Sequence, residues 1–362
     1  MRRALPSVLS VLIALLVSFI AAAFTLGDLG QAASAYLAML QGAVGDWPRY
    51  FETGNPSTVL RPIGEAGTKA ALLTLTGLSV AVAFRVGLFN IGAQGQMVVG
   101  ALAAAFIGAQ LQLPSPLHVT LALLAAALLG SCWALLATGL KLWRGVHEVI
   151  STIMLNWVAV SLVENWLVVG PLKATASGTN SLSGTAQIHA TAELPRLVAD
   201  YSRLNLGFFI AVALAVAVTV WMQRTRAGFE SRAVGLAPKA AEAAGVPVAR
   251  RVLQAMAVSG ALAGLAGGTL ILGTELKYPA TLASPYGFDG IAIALIGQGH
   301  PLGALGTALV FGALRAGGTH MQLFGVHKSF PELIQGLALL LVAAKLFWER
   351  LVAKKPAAGG VT

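Results

Sequence analysis

Apolar runs long enough to cross a bilayer alternate with short polar stretches along most of the chain. A hydrocarbon core of about 30 Å needs roughly 20 helical residues to span it. On that measure the pattern predicts spans at 5–26, 66–84, 89–109, 117–140, from 149 to just before Gly170-Pro171, 207–222 and 252–272. Two shorter pieces follow at 288–297 and 303–316, then a last span at 333–348. The expectation is an all-α polytopic membrane protein with about ten transmembrane helices in one domain, 1–362.

Between the runs, 27–64 and 171–206 read as external segments. The first holds a short interfacial helix over 31–44, with Trp47 and Tyr50 at headgroup level. Spans two to six fall within 66–222 and spans seven to ten within 252–348. A polar, basic loop at 224–251 separates them, and 349–362 is a basic tail. The run 5–26 after Met1-Arg2-Arg3 is too long for a signal h-region of about 7–15 residues, so it reads as an uncleaved span.

Composition agrees. Hydrophobic residues make up 57% of the chain and charged residues 10%, against about 25% charged in a soluble domain. The net charge of +10 does not point to nucleic acid, because the basic residues sit at the ends of apolar runs and form no single patch. With both termini inside, about 15 Lys/Arg lie on the cytoplasmic side and about 9 outside, which sets an N-in/C-in orientation. The one cysteine, Cys132, excludes a disulfide within the chain and reads as a buried small hydrophobe.

The basic loop contains a short helix pattern. Pro238 suits a first helical turn, where a missing N–H costs nothing, and Ala240, Ala241, Ala243 and Ala244 are strong helix formers. Gly245 and Pro247 make a sharp stop. The pattern Arg232-x-x-Gly235-x-x-Pro238-x-Ala240-Ala241-x-x-Ala244-Gly245 resembles the coupling loop of permease subunits in bacterial ABC importers. Gly87-Leu-Phe-Asn-Ile-Gly-Ala-Gln-Gly-Gln96 and Gly287-Phe-Asp-Gly-Ile-Ala-Ile-Ala-Leu-Ile-Gly297 also resemble the branched-chain amino acid, ribose and nucleoside group of that family, most closely its nucleoside-type branch.

The resemblance implies two cytoplasmic ABC ATPase subunits, an external solute-binding protein and a second, related permease subunit in the inner membrane. It also implies that Arg232, Gly235, Pro238, Ala240, Ala241, Ala244 and Gly245 carry ATPase coupling, with a nucleoside or related purine as the solute.

Polar side chains at membrane depth are costly and mark pathways. The candidates are Asn90, Gln94 and Gln96 with Phe89, Asn156, Glu164 and Asn165 on the fifth span, and Phe288 with Asp289. The plainer reading of Asn90 and Asp289 is helix capping. Relatives often carry an acid where this chain has Gln94, so an acid-dependent role there is in doubt. The matching aromatic-polar pairs at Phe89-Asn90 and Phe288-Asp289 hint at a two-half repeat with a pathway between halves. Gly260, Gly264 and Gly268 form a smooth stripe for close helix packing, inside the subunit or against a second one.

His147-Glu148 lacks the further ligands a metal site needs and reads as solvated charge at a span end. No GxxxxGK[ST] phosphate loop occurs, so no cofactor is expected in this chain and any ATP is used by a partner subunit. The alternative reading is an ion-coupled secondary transporter using Glu164 and Asp289.

Overall fold

A computed structural model describes residues 5–174, 184–198, 201–282, 285–327 and 329–344. The expected tail at 349–362, the end of the last span and the middle of the 171–206 segment lie outside the described residues. Most of the described residues are helical, and the helices are named here in chain order. They are α1 (Leu5–Leu26), α2 (Leu29–Val44), the short α3 (Trp47–Thr53), α4 (Ser57–Arg85) and α5 (Ala93–Gln110). Next come α6 (Ser115–Arg144), α7 (Glu148–Leu162), α8 (Gly207–Arg224), α9 (Arg226–Leu236), α10 (Pro238–Ala243) and α11 (Val248–Leu270). The last three are α12 (Tyr286–Ile296), α13 (Pro301–Met321) and α14 (Phe330–Ala343).

Six of these helices, α7 and α11 being counted with the π-helical turns that extend them, are long and apolar enough to cross a membrane. A seventh span arises if α12 and α13, bent by 120° at their junction, count as one. The expected ten differ from this for local reasons. The 89–109 run becomes helical only at Ala93 and carries Gln94 and Gln96 in its first turn, which lowers its apolarity. The pieces 288–297 and 303–316 are the two arms of the bent pair. α14 shows 14 described residues.

α4 and α11 form the centre. Their spans are 83% and 78% buried, whereas those of α1, α6 and α8 are under 30% buried. The outer helices turn Leu12, Leu16, Ile20, Leu128 and Trp157 outward, as a lipid-facing surface requires. Cys132 is on this outer surface of α6, which corrects the expectation that it is buried.

The helix expected over 31–44 runs from Leu29 to Val44 and packs into the bundle. α2 folds back along α1, with Ser18 Oγ 2.6 Å from Tyr36 Oη and the Phe19 and Tyr36 rings edge to face. Its Met39 carbonyl meets α13 where Gly317 leaves room.

α4 starts at Ser57, well before the expected 66, although Pro62 lies inside it. Proline has no N–H to give the carbonyl four residues back. Here that carbonyl, of Thr58, accepts instead from the Asp46 amide at 3.0 Å, so the loop after α2 splints the helix.

Candidate functional site

α4 ends at Arg85, and the chain continues through a non-helical stretch, 86–92, before α5 begins. Gly87 has φ +75°, which a glycine takes without strain. Within this stretch Asn90 is fully buried. Its Nδ2 donates to Gln96 Oε1 (2.9 Å) and to Ser259 Oγ (2.8 Å), while its Oδ1 accepts from Gly92 N (2.9 Å) and Gln96 Nε2 (3.1 Å). Ser259 in turn donates to the Ser79 carbonyl at 2.7 Å, joining α11 to α4.

Asn156 of α7 closes the other side. Its Nδ2 donates to Ile91 O (2.8 Å) and its Oδ1 accepts from Gly95 N (2.7 Å). Asn90, Gln96 and Asn156 are thus brought together, and they supply the hydrogen bonds that a broken helix cannot give itself.

α12 begins against this same point. The Gly287 amide donates to Gln94 Oε1 at 2.8 Å, and Gly287 has no room for a Cβ beside the Gln94 backbone. The two motifs singled out in the sequence, around residues 90 and 288, therefore meet inside the bundle. α5 and α12 present their N-termini to each other there, where amide groups concentrate partial positive charge. Phe288 is 43% exposed beside this junction, while the Phe89 ring is tilted against Phe84 with centroids 4.8 Å apart.

The remaining candidates lie elsewhere. Glu164 is 7% exposed and sits in the π-helical turn Val163–Leu167. Its Oε1 accepts from Tyr278 Oη (3.1 Å) and from the Leu282 amide (2.9 Å), holding the non-helical run between α11 and α12. Asn165, next along, faces outward. Asp289 caps no helix, since Pro285 occupies the cap of α12. It pairs with Arg315 of α13 at 2.7 Å and accepts from Gln335 Nε2 of α14 at 3.0 Å. Arg315 also lies over the Tyr286 ring, 5.2 Å from its centroid. The sequence reading missed Arg315, the one charged residue within the 303–316 run and the signal that could have revealed this pair.

The 224–251 loop contains two helices, α9 and α10, where one was expected. Thr225 starts α9, its Oγ1 accepting from Gly228 N at 3.1 Å. Pro238 takes the first turn of α10, and Gly245, at φ +80°, ends it.

The named loop residues divide into two sets. Arg232 donates to the Met222 carbonyl, Ala241 is buried, and Gly235 presses on the backbone of Arg85 and Gly87 with no space for a side chain. These three brace the loop on the bundle, helped by the Arg251–Glu230 ion pair at 2.6 Å. Pro238, Ala240, Ala244 and Gly245 are exposed, beside Leu236, which is 88% exposed and was not singled out from sequence.

The glycine stripe of α11 packs within the chain. Gly260 meets Gly130 of α6, Gly264 meets Ala126, and Gly268 lies on the Ala126 side chain. On the neighbouring face Gly267 meets the Met97 carbonyl of α5. In the loop before α7, Glu148 is only partly exposed and pairs with Lys141 at 2.6 Å, so it is more enclosed than a solvated span end. No group of three metal-ligating side chains occurs among the described residues.

Comparison with known proteins agrees with this architecture. The profile of the family described as branched-chain amino acid transport system / permease component matches residues 63–343. The guanosine ABC transporter permease protein NupP of Bacillus subtilis is 38% identical over 289 residues, covering 78% of this chain and 81% of NupP. The glucose ABC transporter permease protein TsgB13 of Haloferax volcanii is 33% identical over 296 residues, covering 79% and 77%. The guanosine ABC transporter permease protein NupQ of Bacillus subtilis is 29% identical over 302 residues, covering 81% and 92%. A lipid-facing helical bundle with a braced polar loop and this breadth of similarity have one explanation: the chain belongs to the branched-chain amino acid transport system / permease component family and is a multi-pass permease subunit of an ABC importer.

Proposed function

We propose that this permease carries a nucleoside, guanosine or a related purine, inward across a bacterial inner membrane, driven by ATP that partner subunits hydrolyse. The observation that carries this reading is the uncovered apolar tip of the 224–251 loop. Leu236, Pro238, Ala240 and Ala244 are exposed on a base that Arg232, Gly235 and Ala241 lock to the bundle. An exposed apolar knob on a rigid support suits docking into a groove of another protein. We take the occupant to be a cytoplasmic ABC ATPase, which puts the loop and both termini inside and corresponds to ten spans. The chain needs no nucleotide or other cofactor of its own.

The solute reading rests on the relatives that are named for guanosine, at 38% and 29% identity. Bacillus subtilis holds two such relatives, which favours a heterodimer of this chain with a related permease. An external binding protein would deliver the solute to the end of the bundle covered by residues 184–198. There Ile188 and Leu194 bond to the Leu276 and Leu272 carbonyls. The pathway passes the α5–α12 junction, with Phe288 toward open space and the buried amides as its support.

The ion-coupled alternative loses its two acids. Glu164 is engaged by Tyr278 and Leu282, and Asp289 by Arg315. The test is the assembled complex in vesicles with Ala240→Arg, a change on the exposed face. The variant should assemble in the membrane yet lose guanosine-stimulated ATP hydrolysis. Full stimulation would mean that the tip is not the docking site. Excess unlabelled glucose that competes with labelled guanosine as well as guanosine itself does would overturn the solute reading.

A further inference from the structure

A cavity of about 780 Å³ opens at the Arg85 end of the bundle, between α1 and the elbow that joins α12 to α13. Its long wall is apolar, with Val8, Leu12 and Leu15 of α1 opposite Val310 and Phe311 of α13. Its mouth is polar and bears Arg85, His300, Gln298 and Ser7. None of the lining residues is acidic. Arg85 gives its Nε to the Gly299 carbonyl at 3.1 Å and joins no ion pair among the described residues. Its neighbour in charge, Arg232, is also positive.

A half-buried cation without a counter-charge is costly, and the apolar slot beneath it gains nothing from water. A free anion would answer the charge and leave the slot empty. A zwitterionic lipid would fill the slot, but its own cationic group offsets the phosphate that would answer Arg85. We propose that the groove holds one acyl chain of an anionic phospholipid, with its phosphate on Arg85. Basic pockets between transmembrane helices bind anionic headgroups by this same balance of charge.

Gly306 offers a clean way to close the slot. It lines the cavity, and a Cβ added there meets nothing within 4 Å. The test places the assembled complex in phosphatidylcholine vesicles that contain a photoactivatable lipid with its diazirine in the acyl chain. Either phosphatidylglycerol or phosphatidylcholine carries the probe, and labelled peptides are mapped by mass spectrometry.

Phosphatidylglycerol should label α1 and α13 about fivefold more than phosphatidylcholine does, the ratio given by ~1 kcal/mol per basic group near an anionic headgroup. Gly306→Leu should remove that labelling, and Thr307→Leu serves if the first variant does not fold. Arg85→Gln should make the two probes equal. Equal labelling in the unaltered protein, labelling that survives a filled slot, or none on α1 and α13 would each overturn the proposal. Transport is not measured, so failure here leaves the permease reading untouched.

Discussion

The Gly287 amide lies 2.8 Å from Gln94 Oε1, although 193 residues separate them in the chain. This bond joins the start of α12 to the start of α5 at the point where both helices begin inside the bundle. Gln94→Glu keeps an acceptor for that amide, so uptake should persist. Gln94→Leu removes it and should cost about 1–3 kcal/mol for the stranded amide, seen as a lower melting temperature together with lost uptake. Equal behaviour of the two variants would show that the bond does not hold the junction.

Glu164 separates the two transport mechanisms. Glutamine keeps an oxygen to accept from Tyr278 and Leu282, so Glu164→Gln should leave labelled-solute uptake close to its original rate. Glu164→Ala should lower stability by about 1–3 kcal/mol through the unpaired groups. Uptake should also survive collapse of the proton and sodium gradients while ATP is maintained. Uptake abolished by Glu164→Gln, or one that follows the gradients, would favour ion coupling.

The packing of α11 on α6 depends on Gly264, which has no space for a Cβ against the Ala126 carbonyl. Gly264→Val should destabilise the protein by about 1–3 kcal/mol as the helices are forced apart. Gly139→Ala, on the open face of α6, should not lower the unfolding temperature in the same assay, since nothing lies within 4 Å of the added carbon and alanine favours a helix interior.

Neighbouring loop positions should behave in opposite ways. Gly235→Ala places a carbon against the Arg85 carbonyl and should lower the yield of folded permease. Leu236→Ser changes an exposed side chain and should leave the yield intact while weakening co-purification of the ATPase. The pair is read by detergent-stable yield and by the amount of ATPase that co-elutes.

Legibility followed the range of the forces involved. α10 was visible because Pro238 and Gly245 act on their own backbone. The lipid-facing helices were visible because twenty apolar residues declare themselves. The early start of α4 was hidden, because Pro62 reads as a helix breaker until Asp46 is seen to serve the Thr58 carbonyl. The break at 86–92 was hidden for a similar reason, since Asn90 finds its partners on α5 and α11 and reaches α4 only through Ser259. The Asp289–Arg315 pair needed the α12–α13 elbow to bring the two helices together. In each case the deciding bond crosses from one element to another, where the pattern within a single helix carries no information.

Gly235 sits directly on the main chain at Arg85 and Gly87, the residues at which α4 gives way to the irregular stretch. A load placed on Leu236 would act on the main chain of α4 through a contact that no side chain cushions, five positions before Asn90. We therefore expect a displacement of the tip to register where α4 gives way to the irregular stretch.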